Sequence, residues 1–116
     1  MTKQSMSAFG ALFTNMDGLQ DKFINYWDHV SARFANNPYV VGYDPLNEPF
    51  PANPARDPLL LAPGHHDKEY LAPMYSKIFE KIVSHDTSKM QQIWFEPVPF
   101  PDEVGALGGY VFPVGF

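Results

Sequence analysis

Two glutamates stand at similar places in the chain. Glu48 lies in Asn47-Glu48-Pro49 and Glu96 in Phe95-Glu96-Pro97, each at the end of a short apolar run and each followed by proline. A carboxylic acid whose pKa is raised toward neutrality by burial or a neighbouring carboxylate can protonate a leaving-group oxygen. Glu48 is the leading candidate for that chemistry. Asn47 beside it carries an amide able to hold either the acid or a substrate hydroxyl, and a plain turn or cap is the competing role for the pair. Glu96 invites pairing with Glu48 if the two runs are adjacent strands, because carboxyls that face each other shift one another's pKa. Glycosidases place two such groups about 5 to 5.5 Å apart for retention and about 6.5 to 9.5 Å apart for inversion. The competing role for Glu96 is a strand-end group that bonds a backbone N–H or shapes a pocket. Asp44 either lines the same cleft or ties down a neighbouring strand by a salt bridge. Trp94 shares the strand face of Glu96, while Phe95 points the other way. Trp94 therefore either stacks on a sugar or packs in the core.

Other chemistries find little support. The chain has no cysteine, which removes disulfides, thiolate catalysis and cysteine-ligated zinc together. His65-His66 sits in a proline-rich stretch without a spaced third ligand, so a metal site is not expected there. Nucleophilic triads, glycine-rich phosphate loops, EF-hand loops and zinc signatures are missing. A net charge of -5 with only eight Lys and Arg argues against a nucleic-acid partner. No run of 18 apolar residues predicts a membrane span, and residues 1–10 lack the apolar centre of a signal peptide.

The elements that must position these residues follow from periodicity. Residues 1–15 read as a loop. Asp17 offers an N-cap, and Leu19, Phe23, Tyr26, Trp27, Val30 and Phe34 recur at the helical spacing, predicting a helix over 19–35. Asn36-Asn37-Pro38 stops it. Residues 39–46 read as a strand with both faces covered. A strand that delivers polar groups from its C-terminal end is how α/β barrels build active sites. Residues 50–63 hold four prolines and read as a long loop. His66 or Asp67 would cap a second helix with Tyr70, Leu71, Met74, Tyr75, Ile78, Phe79, Ile82 and Val83 on its core face, ending near His85-Asp86. Residues 92–96 form a second strand. Residues 97–116 are a proline- and glycine-rich tail in which Tyr110-Val111-Phe112 is extended. The order matches part of a parallel sheet with crossover helices, which two strands cannot complete.

Gly42-Tyr43-Asp44-Pro45-Leu46-Asn47-Glu48-Pro49 resembles the fourth barrel strand of glycoside hydrolase family 5. Phe23-Ile24-Asn25-Tyr26-Trp27 before it and Ile93-Trp94-Phe95-Glu96-Pro97-Val98 after it are most similar to the endoglycoceramidase branch, which cuts between oligosaccharide and ceramide in glycosphingolipids. The resemblance runs from about residue 18 to the end. It implies an incomplete (β/α)8 TIM barrel covering roughly strands 4 and 5, so that the whole chain, 1–116, is part of one catalytic domain. It also implies Glu48 as general acid/base and Asn47 as the group that bonds the substrate hydroxyl next to the reacting carbon. Glu96 falls after the fifth strand, where the family does not keep its nucleophile, and it stands with Trp94 as a substrate-binding candidate. The family nucleophile is a glutamate after the seventh strand, beyond this sequence.

The implied mechanism needs no metal or organic cofactor. The implied partner is a glycosphingolipid or another glycoside, and the family habit is secretion or an endomembrane compartment. Two readings compete: a family 5 glycosidase acting on a β-glucan or another glycoside, and a non-catalytic carbohydrate-binding or structural remnant. A barrel takes roughly 250 residues, over twice the 116 here. Unpaired outer strands and a missing core wall then predict negligible activity and poor folding for the chain by itself.

Overall fold

The computed structural model describes residues 2–62 and 64–98. Helix α1, Lys3–Phe13, replaces the expected N-terminal loop. Its start is a capping box in which the Thr2 hydroxyl takes the Ser5 N–H and the Ser5 hydroxyl returns to the Thr2 backbone, offsetting the weak helix preference of this Ser-rich segment. Phe13 at its end is buried. A 3₁₀ turn over Met16–Gly18 then leads into α2, Leu19–Phe34. Asp17 does not cap α2. Its own backbone is left-handed, and Gly18 occupies the N-cap with φ +70°, a conformation that costs glycine little.

The second long helix follows the proline-rich loop. One π turn over Asp67–Leu71 runs into α3, Ala72–His85. Neither His66 nor Asp67 caps it, because the Asp67 carboxylate accepts from the Val98 N–H at 2.9 Å instead. The predicted apolar stripe divides. Leu71, Met74, Tyr75, Ile78 and Ile82 are buried, while Phe79 and Val83 stay about half exposed. Polar contacts fix the packing of α2 on α3: Asp28 of α2 meets His85 Nε2 at 2.8 Å and Lys81 Nζ at 3.4 Å. Gln20 is buried and links three helices, donating to the Phe13 carbonyl at the end of α1 and accepting from Lys77 of α3.

The strands are much shorter than their sequence suggests. Strand β1 is Gly42–Tyr43 and β2 is Gln92–Ile93; they pair in parallel, Gly42 opposite Gln92 and Tyr43 opposite Ile93. Pro45 has no N–H to offer a ladder, which limits β1 on its C-terminal side. Its faces are not both covered, since Tyr39 is 92% and Val41 67% exposed. A Cβ on Gly42 would fall on the Gln92 carbonyl, so this close approach requires glycine. The crossover from β1 through α3 to β2 is nonetheless the parallel unit the sequence predicts. Overall the described chain is mostly helical with this small two-stranded sheet. The core joins Phe13, Ile24, Tyr43, Leu71, Met74, Tyr75, Ile78, Ile82 and Val98. The predicted extended Tyr110-Val111-Phe112 lies outside the described residues. No helix among the described residues is long and apolar enough to cross a membrane.

Candidate active site at the strand exits

Polar groups gather where the chain leaves β1 and β2. Continuing the register of the two paired rows, an offset of 50 residues (92 − 42), would set Glu96 opposite Leu46, two residues short of Glu48. The Glu96 carboxylate consequently reaches the backbone of Glu48, not its side chain. The Glu48 N–H donates to Glu96 Oε2 at 2.5 Å, shorter than an ordinary N–H···O bond. Glu48 has a left-handed backbone, φ +45°, which a non-glycine residue adopts only at some cost. Among the alternatives open to Glu96, binding a backbone N–H is the one the fold displays.

The Tyr75 hydroxyl, reaching up from α3, fastens the two exits together. It donates to the Leu46 carbonyl at 3.2 Å and takes the Glu96 N–H. Burial, followed by the nearby charges of Asp44 and Glu96, pushes its pKa up to about 12, with the hydrogen bonds from the backbone working the other way. Tyr75 therefore remains a donor at any physiological pH. Its ring packs edge-on to Phe95 with centroids 4.8 Å apart.

Asp44 forms no salt bridge; among the described residues both ion pairs belong to Asp28. It turns to Glu96 instead. Lost hydration at the strand end raises its carboxyl above the usual carboxylate range, and the charge and hydrogen bond of Glu96 act in the same direction. The Leu46 N–H, two residues on, pulls it partly back. Asn47 and Glu48 are exposed, as a group meeting a substrate must be, with buried Pro49 behind them. Trp94 is 44% exposed, which leaves its ring face available for stacking rather than sealed in the core.

Other candidates part from this cluster. His65 and His66 bring no metal ligands together, and no group of three potential ligands exists among the described residues. His66 is buried edge-on to Phe13 at 4.5 Å, with neither ring nitrogen hydrogen-bonded. Sequence reasoning missed Tyr75 as part of the site, reading it as core. The ring is core, as read, while the hydroxyl reaches the candidate site, and a tyrosine in place of phenylalanine on that stripe was the available signal.

No protein-family model matches the chain, and no solved structure matches it. Two curated relatives do. An endoglycoceramidase of Cyanea nozakii is 36% identical over 97 residues, 84% of this chain and 19% of that protein. An endoglycoceramidase of Hydra vulgaris is 36% identical over 97 residues, 84% of this chain and 18% of that protein. The chain thus spans about a fifth of the length of these relatives. Over that span it is an endoglycoceramidase-like sequence, a partial match of the kind its strand-end motif implies.

Proposed function

We propose that this chain is the central part of a retaining glycoside hydrolase of family 5, a segment of a (β/α)8 barrel around strands 4 and 5, which cleaves the bond between oligosaccharide and ceramide in glycosphingolipids. The observation that carries the reading is the placement of Asn47-Glu48 at the exposed C-terminal exit of a parallel βαβ unit, in a chain similar to two endoglycoceramidases. In such an enzyme Glu48 protonates the departing ceramide oxygen and then takes a proton from the water that releases the sugar. Asn47 holds the hydroxyl beside the reacting carbon. Trp94 offers an aromatic face to the glycan. Glu96 supports the Glu48 turn through the Glu48 N–H, and in this reading the nucleophile is the glutamate that the family keeps after its seventh strand. Double displacement needs a second carboxylate near the first, so residues 2–98 by themselves are inactive in this reading.

The test is hydrolysis of a fluorescent glycosphingolipid by the protein expressed from the natural reading frame that encodes this chain. Glu48→Gln strongly lowers kcat/KM for the lipid and largely spares kcat/KM for an aryl glycoside whose leaving group needs no proton, although the water step that follows is slowed for both. Equal loss of kcat/KM on both substrates would remove Glu48 from the acid/base role.

A further inference from the structure

The parallel ladder ends well before Glu48. Its last paired row is Tyr43 opposite Ile93, and the Trp94 N–H donates to the Tyr43 carbonyl at 2.9 Å. Glu48 stands further along, exposed and with a left-handed backbone. A group that must meet a reacting atom has to be held within about 0.5 Å of its working position. Strand pairing does not extend far enough to do that here.

Tyr75 has the reach that the ladder lacks. It sits on α3, itself 6% exposed, on the face that buries Met74 and Ile78 completely, so its ring has a rigid base. Its hydroxyl donates to the Leu46 carbonyl at 3.2 Å, two residues before Glu48. Its ring packs on Phe95, the residue before Glu96, and the Glu96 carboxylate accepts the Glu48 N–H. The contacts close a circuit: Tyr75 to Leu46, along the chain to Glu48, across to Glu96, and back through Phe95 to Tyr75. Phenylalanine would fill the same core space. The hydroxyl adds only the grip on Leu46, and a hydroxyl in a packed core is costly unless it finds such a partner.

We propose that Tyr75 is a positioning residue for Glu48: its hydroxyl, carried on the packed face of α3, grips the Leu46 carbonyl and so sets where the Asn47-Glu48 turn stands. Tyr75 touches no substrate in this role and acts through the backbone ahead of the acid. The functional half of the inference rests on the acid/base reading above, whereas the mechanical half does not.

The experiment compares Tyr75→Phe with wild type in the protein expressed from the natural reading frame. Hydrogen exchange read by mass spectrometry on a peptide spanning residues 44–50 reports the turn, since Pro45 and Pro49 carry no amide and leave Leu46, Asn47 and Glu48 to dominate the signal. Protection in wild type should fall about tenfold in Tyr75→Phe, while peptides from α2 keep theirs. For the fluorescent glycosphingolipid, kcat/KM should fall by about 10- to 100-fold, the cost of a misplaced group, with a far smaller loss on an activated aryl glycoside. Adding Tyr75→Phe to Glu48→Gln should cost the lipid reaction little more, because the group it positions is already gone.

Unchanged exchange over residues 44–50 in Tyr75→Phe overturns the inference. So does an equal loss on both substrates, or a loss that adds in full to that of Glu48→Gln, since either marks a general structural role. Wild-type exchange at the random-coil rate over this segment overturns it too, and decides alone if Tyr75→Phe fails to fold. A wild-type protein that cleaves no glycoside removes the hydrolase reading and the functional half with it. The exchange comparison uses no glycoside, so it still decides whether Tyr75 holds the turn.

Discussion

The backbone N–H of Glu48 donates to the side-chain carboxylate of Glu96 across 48 residues of sequence. The bond joins the exits of two strands that are each only two residues long, and Tyr75 repeats the connection from below. Replacing Glu96 by Ala removes the acceptor and leaves a left-handed non-glycine residue unanchored. The expected cost is about 1.5–3 kcal/mol, the range for a charged hydrogen bond. Glu96→Gln should recover more than half of it, because an amide oxygen still accepts. Urea denaturation of the three proteins makes the comparison.

The close approach of β1 to β2 sets a sharper condition. Gly42 lies against the Gln92 backbone with no room for a Cβ, and the neighbour is main chain that cannot rotate away. Gly42→Ala should therefore cost about 2 kcal/mol or more. It should also break the bonds that Gln92 and Trp94 donate to Val41 and Tyr43. Rapid amide exchange at Gln92 and Trp94 in the variant would confirm that the sheet has opened.

Burial of His66 predicts an acid-sensitive fold. Desolvation, reinforced by the neighbouring His65, lowers its pKa from 6.5 to about 4. Between those values the unfolded chain binds more protons than the folded one, so stability rises with pH through the window and is lost as the pH falls through it. The loss is on the order of 3 kcal/mol. Asp28 and Asp86, whose carboxyls are held low chiefly by hydrogen bonds from His85 and Ser88, add a slope of the same sign below 3.8. Asp44, raised, acts oppositely: its contribution is present at low pH and fades as the pH rises past 3.8. His66→Phe keeps the aromatic packing and removes the proton. Denaturation midpoints measured from pH 7 to pH 4 should flatten in that variant.

How much of this was legible in the sequence depends on the range of the interaction. Helix α2 was readable because Phe23, Trp27 and Val30 repeat with the helix period, and Asn36-Asn37-Pro38 stops it one residue from where it was expected. Helix α1 was missed because its Ser, Thr and Gly content resembles a loop. Its Thr2–Ser5 capping box was the signal to weigh against that composition. The strands were overextended because β-branched and aromatic residues mark strand preference, whereas ladder length depends on a partner and on Pro45. At the site, Asn47, Glu48 and Glu96 could be picked out from position and chemistry. The bond between Glu96 and the Glu48 backbone could not, since it follows from a register that a single sequence does not contain.

The uncovered apolar surface also has consequences. Tyr39, Val41, Phe79, Val83 and Trp94 are all more than 40% exposed. A groove of about 420 Å³ beside α3 and β2 is lined by Tyr75, Phe79, Ile93 and Phe95. Exposed faces of this size promote association in water. The 116-residue chain should bind a hydrophobic fluorescent dye and sediment as a concentration-dependent mixture. Charged replacements at Phe79 and Val83 should shift it toward monomer while leaving the helical circular dichroism in place.

The central claim is that Glu48 is the acid/base of a glycosidase, and turnover measures it most directly. With the protein expressed from the natural reading frame, the account predicts release of ceramide from a fluorescent glycosphingolipid. It also predicts that Glu48→Gln lowers kcat/KM for that lipid by about 10²–10⁴-fold, with a far smaller effect on kcat/KM for an activated aryl glycoside. Unchanged turnover in Glu48→Gln, or a wild-type protein that releases no ceramide, would contradict it.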